Sequence, residues 1–122
     1  MELSLDTNNA TYQIQSYKDG CITVNGQKYS EAILIMPDHL ITPWGPTTLD
    51  SLSPDHFNDL LQFKPELVIL GTGSLLQFPP KQLYAVLTEN RIGVEIMNTR
   101  SACRTYTLLT SENRRVVAGL LV

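Results

Sequence analysis

The sequence predicts an α/β fold built around a largely parallel β-sheet. Three observations lead to this fold class. From residue 54 onward, apolar runs of strand length and stretches of helical spacing follow in the order α-β-α-β-α-β, which is typical of parallel strands joined by right-handed crossovers. One apolar strand ends in the turn Gly71–Ser74, and another leads directly into a helix start at Asn98-Thr99. The first half has instead the tight-turn signals of a β-meander.

The first half contains short strands separated by glycine turns. Tyr12–Tyr17 and Cys21–Val24 flank Asp19-Gly20, and Asn25-Gly26 leads into a third strand. Both dipeptides supply the positive φ that a tight hairpin needs. The continuously apolar run Ala32–Met36 predicts a strand that is covered on both faces.

Residues 38–53 are predicted to form a loop with one large aromatic side chain. Trp44 stands between two prolines in this stretch. We interpret it as a plug at the edge of the core. The alternative is a surface anchor for a partner, because tryptophan is favoured at binding hot spots.

The second half supplies the alternating helices and strands. Ser53-Pro54 predicts a helix start, because serine accepts hydrogen bonds from unpaired amides and proline fits the first helical position. Pro65 ends that helix. The later elements are a strand at Leu67–Leu70, a helix from Pro79-Pro80 to Asn90, a strand at Gly93–Met97, a helix at Thr99–Glu112 and a strand at Val116–Val122. We expect the first two of these strands to be buried, parallel neighbours at the centre of the sheet, since both are apolar runs that lead into helices.

The length and composition fit one globular domain spanning residues 1–122. Hydrophobic residues make up 43% and charged residues 17% of the chain, which is an ordinary globular balance. We expect residues 1–11 to form a flexible or extended arm. The longest apolar runs are too short to cross a bilayer, and the N-terminus resembles neither a secretory signal nor a transit peptide. The sequence therefore favours a cytoplasmic protein without membrane insertion.

The sequence carries no metal, cofactor or disulfide signal. Cys21 and Cys103 are far apart, and Cys103 falls inside a predicted helix, where it is interpreted as a small core residue. His39 and His56 are isolated, and no zinc-type spacing occurs. We therefore expect no metal, no cofactor and no disulfide framework.

Charge is distributed unevenly along the chain. Residues 1–61 carry two lysines and eight acids, a net charge of −6, whereas residues 62–122 carry seven basic residues and four acids, a net charge of +3. One interpretation is ordinary solvated surface. The other is a positive face that meets an acidic protein partner or a small anionic ligand. Nucleic acid is excluded as a partner, because the chain is acidic overall and lacks a basic stripe.

The second half also resembles a known family. The pattern is a strand followed by Gly-Thr-Gly, a helix begun by proline, and then G-x-x-x-x-M-x-T-x-x-A-x-x-T-[Y/F] followed by E-x-R-x-V-x-A-x-L, with a match over roughly residues 12–122. The matching residues are Gly71, Thr72, Gly73, Pro79, Gly93, Met97, Thr99, Ala102, Thr105, Tyr106, Leu109, Arg115, Val117, Ala118 and Leu120. The family consists of small domains of unassigned biochemical activity and includes a mitochondrial factor for assembling respiratory complex I and an adipogenesis-linked relative.

This resemblance implies several expectations. The fold would be a three-layer α/β domain with a mixed, mostly parallel central sheet whose last strand runs antiparallel to the others. The chain resembles the bacterial branch of the family, because it has no mitochondrial presequence. The family supplies no catalytic mechanism, but one branch supplies an assembly role, which we carry over as a hypothesis.

The candidate site is a crevice between the Gly71–Ser74 turn and the helix start at Asn98–Arg104. Neighbouring strand ends of this kind are where α/β sheets usually bind ligands. The turn is not a Walker A or dinucleotide motif, but Gly71 and Gly73 could expose backbone amides to an anion. Alternatively, they only permit a tight turn. The predicted ligand-binding residues are Gly71, Thr72, Gly73, Ser74, Asn98, Thr99, Arg100 and Arg104.

Two arginines give this crevice its predicted preference for anions. Arg100 falls in the first helical turn, where a cation opposes the helix dipole, and Arg104 follows one turn later. Such a pair makes sense beside an anion or acidic partner, although two solvated side chains are the alternative.

Catalytic residues are not predicted. The hydroxyl and thiol groups near the crevice have no base that the sequence places beside them. The sequence therefore favours a non-catalytic binding or assembly module over an enzyme, with a protein partner and an undefined oligomeric state. The alternative is a small-molecule-binding protein or an enzyme acting on an anionic ligand in the same crevice.

Overall fold

The computed structural model describes residues 10–18 and 20–122. Eight strands and three α-helices follow one another in these residues. The strands are β1 (Ile14–Lys18), β2 (Cys21–Val24), β3 (Gln27–Tyr29), β4 (Ile33–Met36), β5 (His39–Ile41), β6 (Leu67–Thr72), β7 (Gly93–Met97) and β8 (Val116–Leu121). The helices are α1 (Pro54–Asn58), α2 (Ala85–Glu89) and α3 (Thr99–Ser111), with 3-10 turns at Leu49–Ser51, Asp59–Phe63 and Lys81–Tyr84.

The central sheet has five strands in the order β5-β4-β8-β6-β7. Strand β6 pairs in parallel with both β7 and β8, whereas β4 pairs antiparallel with both β5 and β8. The three parallel strands end at the same edge, because Gly71 is in register with both Met97 and Leu120. The mixed α/β sheet is confirmed.

The expectation for the last strand is wrong. Strand β8 runs parallel to β6, and the strand that opposes the others is β4. The physical reason lies in α3, which carries the chain back along the sheet after β7. The next strand therefore starts at the same end as β6 and β7, as a right-handed crossover requires.

The predicted central position of Gly93–Met97 is also wrong, although its parallel pairing with β6 is confirmed. Strand β7 lies at the edge of the sheet, and β8 occupies the position between β4 and β6. Every residue of β8 is buried, whereas Gly93 and Glu95 of β7 are exposed. A charged residue in the middle of a strand is typical of an edge.

Two apolar cores make the domain three-layered. On one face of the central sheet, α3 and the three-stranded sheet β1-β2-β3 cover a core that includes Ile22, Ile69 and Tyr106. On the other face, the α1 and α2 region packs through Phe57 and Leu87. The central strands are therefore covered on both sides, which explains their continuous apolar runs.

Trp44 plugs the core edge, as predicted. Its indole ring lies against Gly119 of β8, where an added Cβ would overlap the ring. The amide of Trp44 donates to the carbonyl of Ala32 at 2.8 Å. The predicted loop around it is too long, because β5 forms a short hairpin with β4. The sequence signal of β5 is weak, since this strand has only three residues.

The helices are shorter than the sequence predicts. The helix that begins at Pro54 changes to a 3-10 turn at Asp59 and ends at Lys64, which has a left-handed φ of 52°. The predicted helix at Pro79–Asn90 is a 3-10 turn followed by α2. Most of the predicted arm at residues 1–11, and Asp19 of the first hairpin turn, lie outside the described residues.

Candidate functional site

The two glycines at the end of β6 allow the chain to pass close to α3. A Cβ on Gly71 would lie 2.9 Å from Oγ1 of Thr99 and 3.1 Å from its Cα. Gly73 has a φ of +94°, which side chains rarely adopt. Both glycines thus have a structural reason at these positions, which agrees with the tight-turn interpretation.

Thr99 joins three segments of the sheet edge. Its buried hydroxyl accepts a hydrogen bond from the Gly73 amide at 2.8 Å and donates to the carbonyl of Leu121. Its own amide donates to the carbonyl of Gly73 at 2.9 Å. The Gly73 amide therefore already has a partner within the fold, and the ends of β6, β8 and the start of α3 are locked together.

Asn98 caps α3. Its Oδ1 accepts from the amide of Ser101 at 2.8 Å, and its carbonyl accepts from the amide of Ala102 at 2.9 Å. Asparagine is among the preferred residues at this position because it satisfies an unpaired helical amide. The predicted cap is thereby assigned to Asn98.

Thr72 organises the loop that follows β6. Its hydroxyl donates to the carbonyl of Leu75 at 2.6 Å and accepts from the amide of Gln77 at 3.2 Å. The loop between these contacts is strongly apolar at its surface. The exposed fractions are 70% for Leu75, 50% for Leu76 and 71% for Phe78. We call residues 75–78 the apolar loop.

Arg100 and Arg104 are exposed at the start of α3. The guanidinium of Arg100 lies 5.5 Å from the centre of the Tyr17 ring, within range of a cation–π contact. Among the described residues, neither arginine has a carboxylate within ion-pair distance. Together they form a positive surface with Tyr17, which we call the arginine surface.

Two other arginines are paired at the opposite end of the sheet. Arg114 lies 3.4 Å from Glu66, and Arg115 lies 2.7 Å from Asp38. The hydrogen bond from Arg115 holds the pKa of Asp38 below its usual value. Arg115 also donates to the carbonyl of Phe63 at 3.0 Å, so this side chain ties β8 to two neighbouring segments.

A depression of about 190 Å³ lies beside these paired arginines. Pro37, Arg114 and Arg115 contribute to its lining.

The reactive side chains have structural surroundings. Burial raises the pKa of the Cys103 thiol to about 12, which suppresses the thiolate that a nucleophile requires. The phenol of Tyr106 donates to the carbonyl of Tyr12 at 3.0 Å. Nδ1 of His56 accepts a hydrogen bond from the Ser53 amide at 3.0 Å, and Nδ1 of His39 lies 3.2 Å from Oδ1 of Asp38. Neither histidine contacts the predicted crevice.

The described part of the chain, residues 10–18 and 20–122, contains no group of three metal-binding side chains that could hold an ion. Within the same residues, no helix has the length and apolar character needed to cross a bilayer.

The apolar loop is the surface feature that the sequence prediction missed. The sequence pattern assigns no surface role to Leu75, Leu76 or Phe78. One signal was present: three large apolar residues stand between a glycine turn and Pro79-Pro80, too few for a helix and without the alternation of a strand.

The comparison with known families identifies the group to which this fold belongs. A family described as "Protein of unknown function (DUF498/DUF598)" matches residues 14–121. The chain belongs to that family. This confirms the resemblance inferred from the second half of the sequence.

The chain is similar to proteins from bacteria and to a human assembly factor. A solved structure from Xanthomonas campestris is 34% identical with a TM-score of 0.84, covering 100% of this chain and 92% of that one. The human protein named NADH dehydrogenase (ubiquinone) 1 alpha subcomplex assembly factor 3 is 27% identical over 110 residues, which is 88% of this chain. A Francisella tularensis protein named "13 kDa major membrane protein" is 32% identical over 68 residues, which is 56% of this chain. This chain covers only 59% of the human protein and 55% of the Francisella protein.

Proposed function

We propose that this protein is a non-catalytic, assembly-factor-like module that binds an acidic protein partner at its arginine surface. The observation that carries the proposal is the pair Arg100 and Arg104, one turn apart at the start of α3 and without a described carboxylate partner. A cation in the first turn opposes the helix dipole. Docked carboxylates would neutralise both arginines and interact favourably with that dipole.

The scaffold beneath this surface is suited to recognition. Thr99, Gly73 and Leu121 lock the helix start to the sheet edge, and Asn98 caps the first turn. A rigid platform loses less conformational entropy on binding than a flexible one. In this proposal the predicted residues Gly71, Thr72, Gly73, Asn98 and Thr99 position the surface, while Ser74, Arg100 and Arg104 are available to contact the partner.

The relatives support a role in assembly. The human relative is named as an assembly factor of NADH dehydrogenase, and the alignment with it covers 88% of this chain. We extend this role to the present chain as the binding of a protein subunit during assembly of a larger complex. Its location in the cytoplasm is part of the same proposal.

The test begins with capture of partners from an extract of the source cells by the tagged protein, followed by purification of the captured protein and titration. We expect a one-to-one complex that weakens when Arg100→Gln and Arg104→Gln are combined. The matched control is Arg91→Gln, since Arg91 is also an exposed arginine without a described ion pair. Arg91 precedes β7, whereas Arg100 and Arg104 follow that strand, so it lies at the opposite end of β7 from the arginine surface.

Three outcomes separate the alternatives. Selective weakening by the double variant supports the proposal, and equal affinity of all variants overturns it. Binding of a small anion such as phosphate or citrate at the same arginines, with no captured protein, favours the small-ligand hypothesis instead. That ligand would be held by the arginine side chains, because the Gly73 amide is already bonded to Thr99.

A further inference from the structure

The apolar loop exposes more hydrophobic surface than any comparable segment of the described chain. Three of the five large hydrophobic side chains that are exposed lie within residues 75–78, and the other two are Ile41 and Leu108. Single exposed hydrophobic residues are normal, but a contiguous group of them indicates an interaction site. The loop is also held in one shape, since the Thr72 hydroxyl joins its first and third residues.

Part of the loop backbone is held by hydrogen bonds within the chain. The Leu75 carbonyl accepts a hydrogen bond from Thr72, and the Gln77 amide donates to the same hydroxyl. Pro79 and Pro80 follow directly and have no amide hydrogen. The remaining amides and carbonyls of residues 75–78 have no partner among the described residues, so the loop can enter only the interfacial region, where water and headgroups still reach the backbone, and not the hydrocarbon, where each unsatisfied group is costly.

Charge around the loop favours an anionic surface. Residues 67–88 contain no acidic residue, and their one charged side chain is Lys81, three positions after Phe78. Lys81 is exposed and has no carboxylate within ion-pair distance among the described residues. Cations beside a lipid surface are attracted to anionic headgroups over about a Debye length.

We propose that the apolar loop docks this protein peripherally on anionic lipid bilayers. Leu75, Leu76 and Phe78 enter the interfacial region, and Lys81 meets the headgroups. The inference is independent of the acidic partner at the arginine surface, because it uses other residues. The apolar loop follows the carboxyl end of β6, and α3 starts after the carboxyl end of the neighbouring parallel strand β7, so a docked molecule would hold its partner close to the bilayer.

The experiment is flotation of the full chain with vesicles of phosphatidylcholine alone and of phosphatidylcholine mixed with phosphatidylglycerol. We expect flotation with the mixed vesicles. Each of Leu75→Ser and Phe78→Ser should reduce the partition coefficient by about tenfold, given the transfer free energy of such side chains. Leu108→Ser is the matched control, since Leu108 is an exposed leucine on α3. Lys81→Gln should reduce the partition coefficient only for the mixed vesicles, whereas Lys28→Gln should not.

A direct readout comes from Phe78→Trp. Lipids brominated near the headgroup end of their chains should quench the new tryptophan, while Trp44 against Gly119 should contribute a constant background that the parent protein measures. Loss of flotation in the loop variants with unchanged thermal unfolding supports the proposal. Absence of flotation with the mixed vesicles, or flotation that survives both loop substitutions, overturns it. If the loop variants instead lose only the captured protein partner, the apolar loop is a protein contact and the lipid proposal is wrong.

Discussion

Replacing Thr99 with valine tests the lock between the helix start and the sheet edge. The substitution keeps the shape of the side chain and removes its hydroxyl. The Gly73 amide then loses its acceptor and the Leu121 carbonyl loses a donor, both in a buried environment. Each buried polar group left unsatisfied costs about 1–3 kcal/mol. We therefore expect Thr99→Val to lower the free energy of unfolding by about 2–4 kcal/mol, a large part of a typical domain's stability.

Urea unfolding followed by circular dichroism measures this loss, with two matched variants. Thr99→Ser keeps the hydroxyl and removes one buried methyl group, which should cost about 1 kcal/mol. Thr105→Val removes a half-buried hydroxyl whose contact is the Met97 sulfur at 3.4 Å, so its effect should stay within about 0.5 kcal/mol. If Thr99→Val is no more destabilising than Thr99→Ser, the hydroxyl does not hold the site together and the reasoning fails.

Three further predictions concern single positions. Gly71→Ala should destabilise the protein by about 1–3 kcal/mol in the same urea assay, because its Cβ would press on Thr99; a neutral result would show that the close approach is not needed. Cys103 should react with a thiol reagent far more slowly than the half-exposed Cys21 until the protein unfolds, because burial raises its pKa to about 12, whereas equally fast labelling would contradict its burial. The lowered pKa of Asp38 adds stability that is present above its ordinary value of 3.8 and is lost as pH falls through the folded pKa. The free energy of unfolding should therefore fall less steeply in Arg115→Gln than in the parent protein between pH 5 and pH 2, about the range in which a carboxylate of lowered pKa titrates. An unchanged slope would show that the ion pair contributes no stability.

Much of the fold could be predicted because local patterns and the tertiary structure agree. Ser53-Pro54 begins a helix, the runs at β6 and β7 pair in parallel, and Trp44 fills the core edge. Strand order could not be predicted in the same way. Both β7 and β8 are mainly apolar, and Glu95 of β7 is the one local signal of an edge strand. The inner position of β8 depends on the crossover through α3 and on the packing of Trp44 against Gly119.

The candidate site shows a different limit of sequence reasoning. A glycine turn beside a helix start predicts exposed amides equally well for binding an anion and for binding a side chain of the same protein. Here the Thr99 hydroxyl accepts a hydrogen bond from the Gly73 amide, and no sequence pattern distinguishes the two cases. The apolar loop was missed because the sequence does not distinguish an exposed leucine or phenylalanine from one in the core. Only the exposed fractions of Leu75 and Phe78 separate them from the core.

The most direct test of the central claim is the affinity of the reconstituted partner complex, measured by calorimetry for the parent protein and for the combined Arg100→Gln and Arg104→Gln variant. Hydrogen bonds to charged groups contribute about 1.5–3 kcal/mol, so two lost contacts should weaken binding by at least about tenfold. Rising salt should weaken the parent complex more steeply than the variant complex, because fewer charges remain to be screened. Equal affinities and equal salt dependence would contradict the assignment of the arginine surface as the binding site.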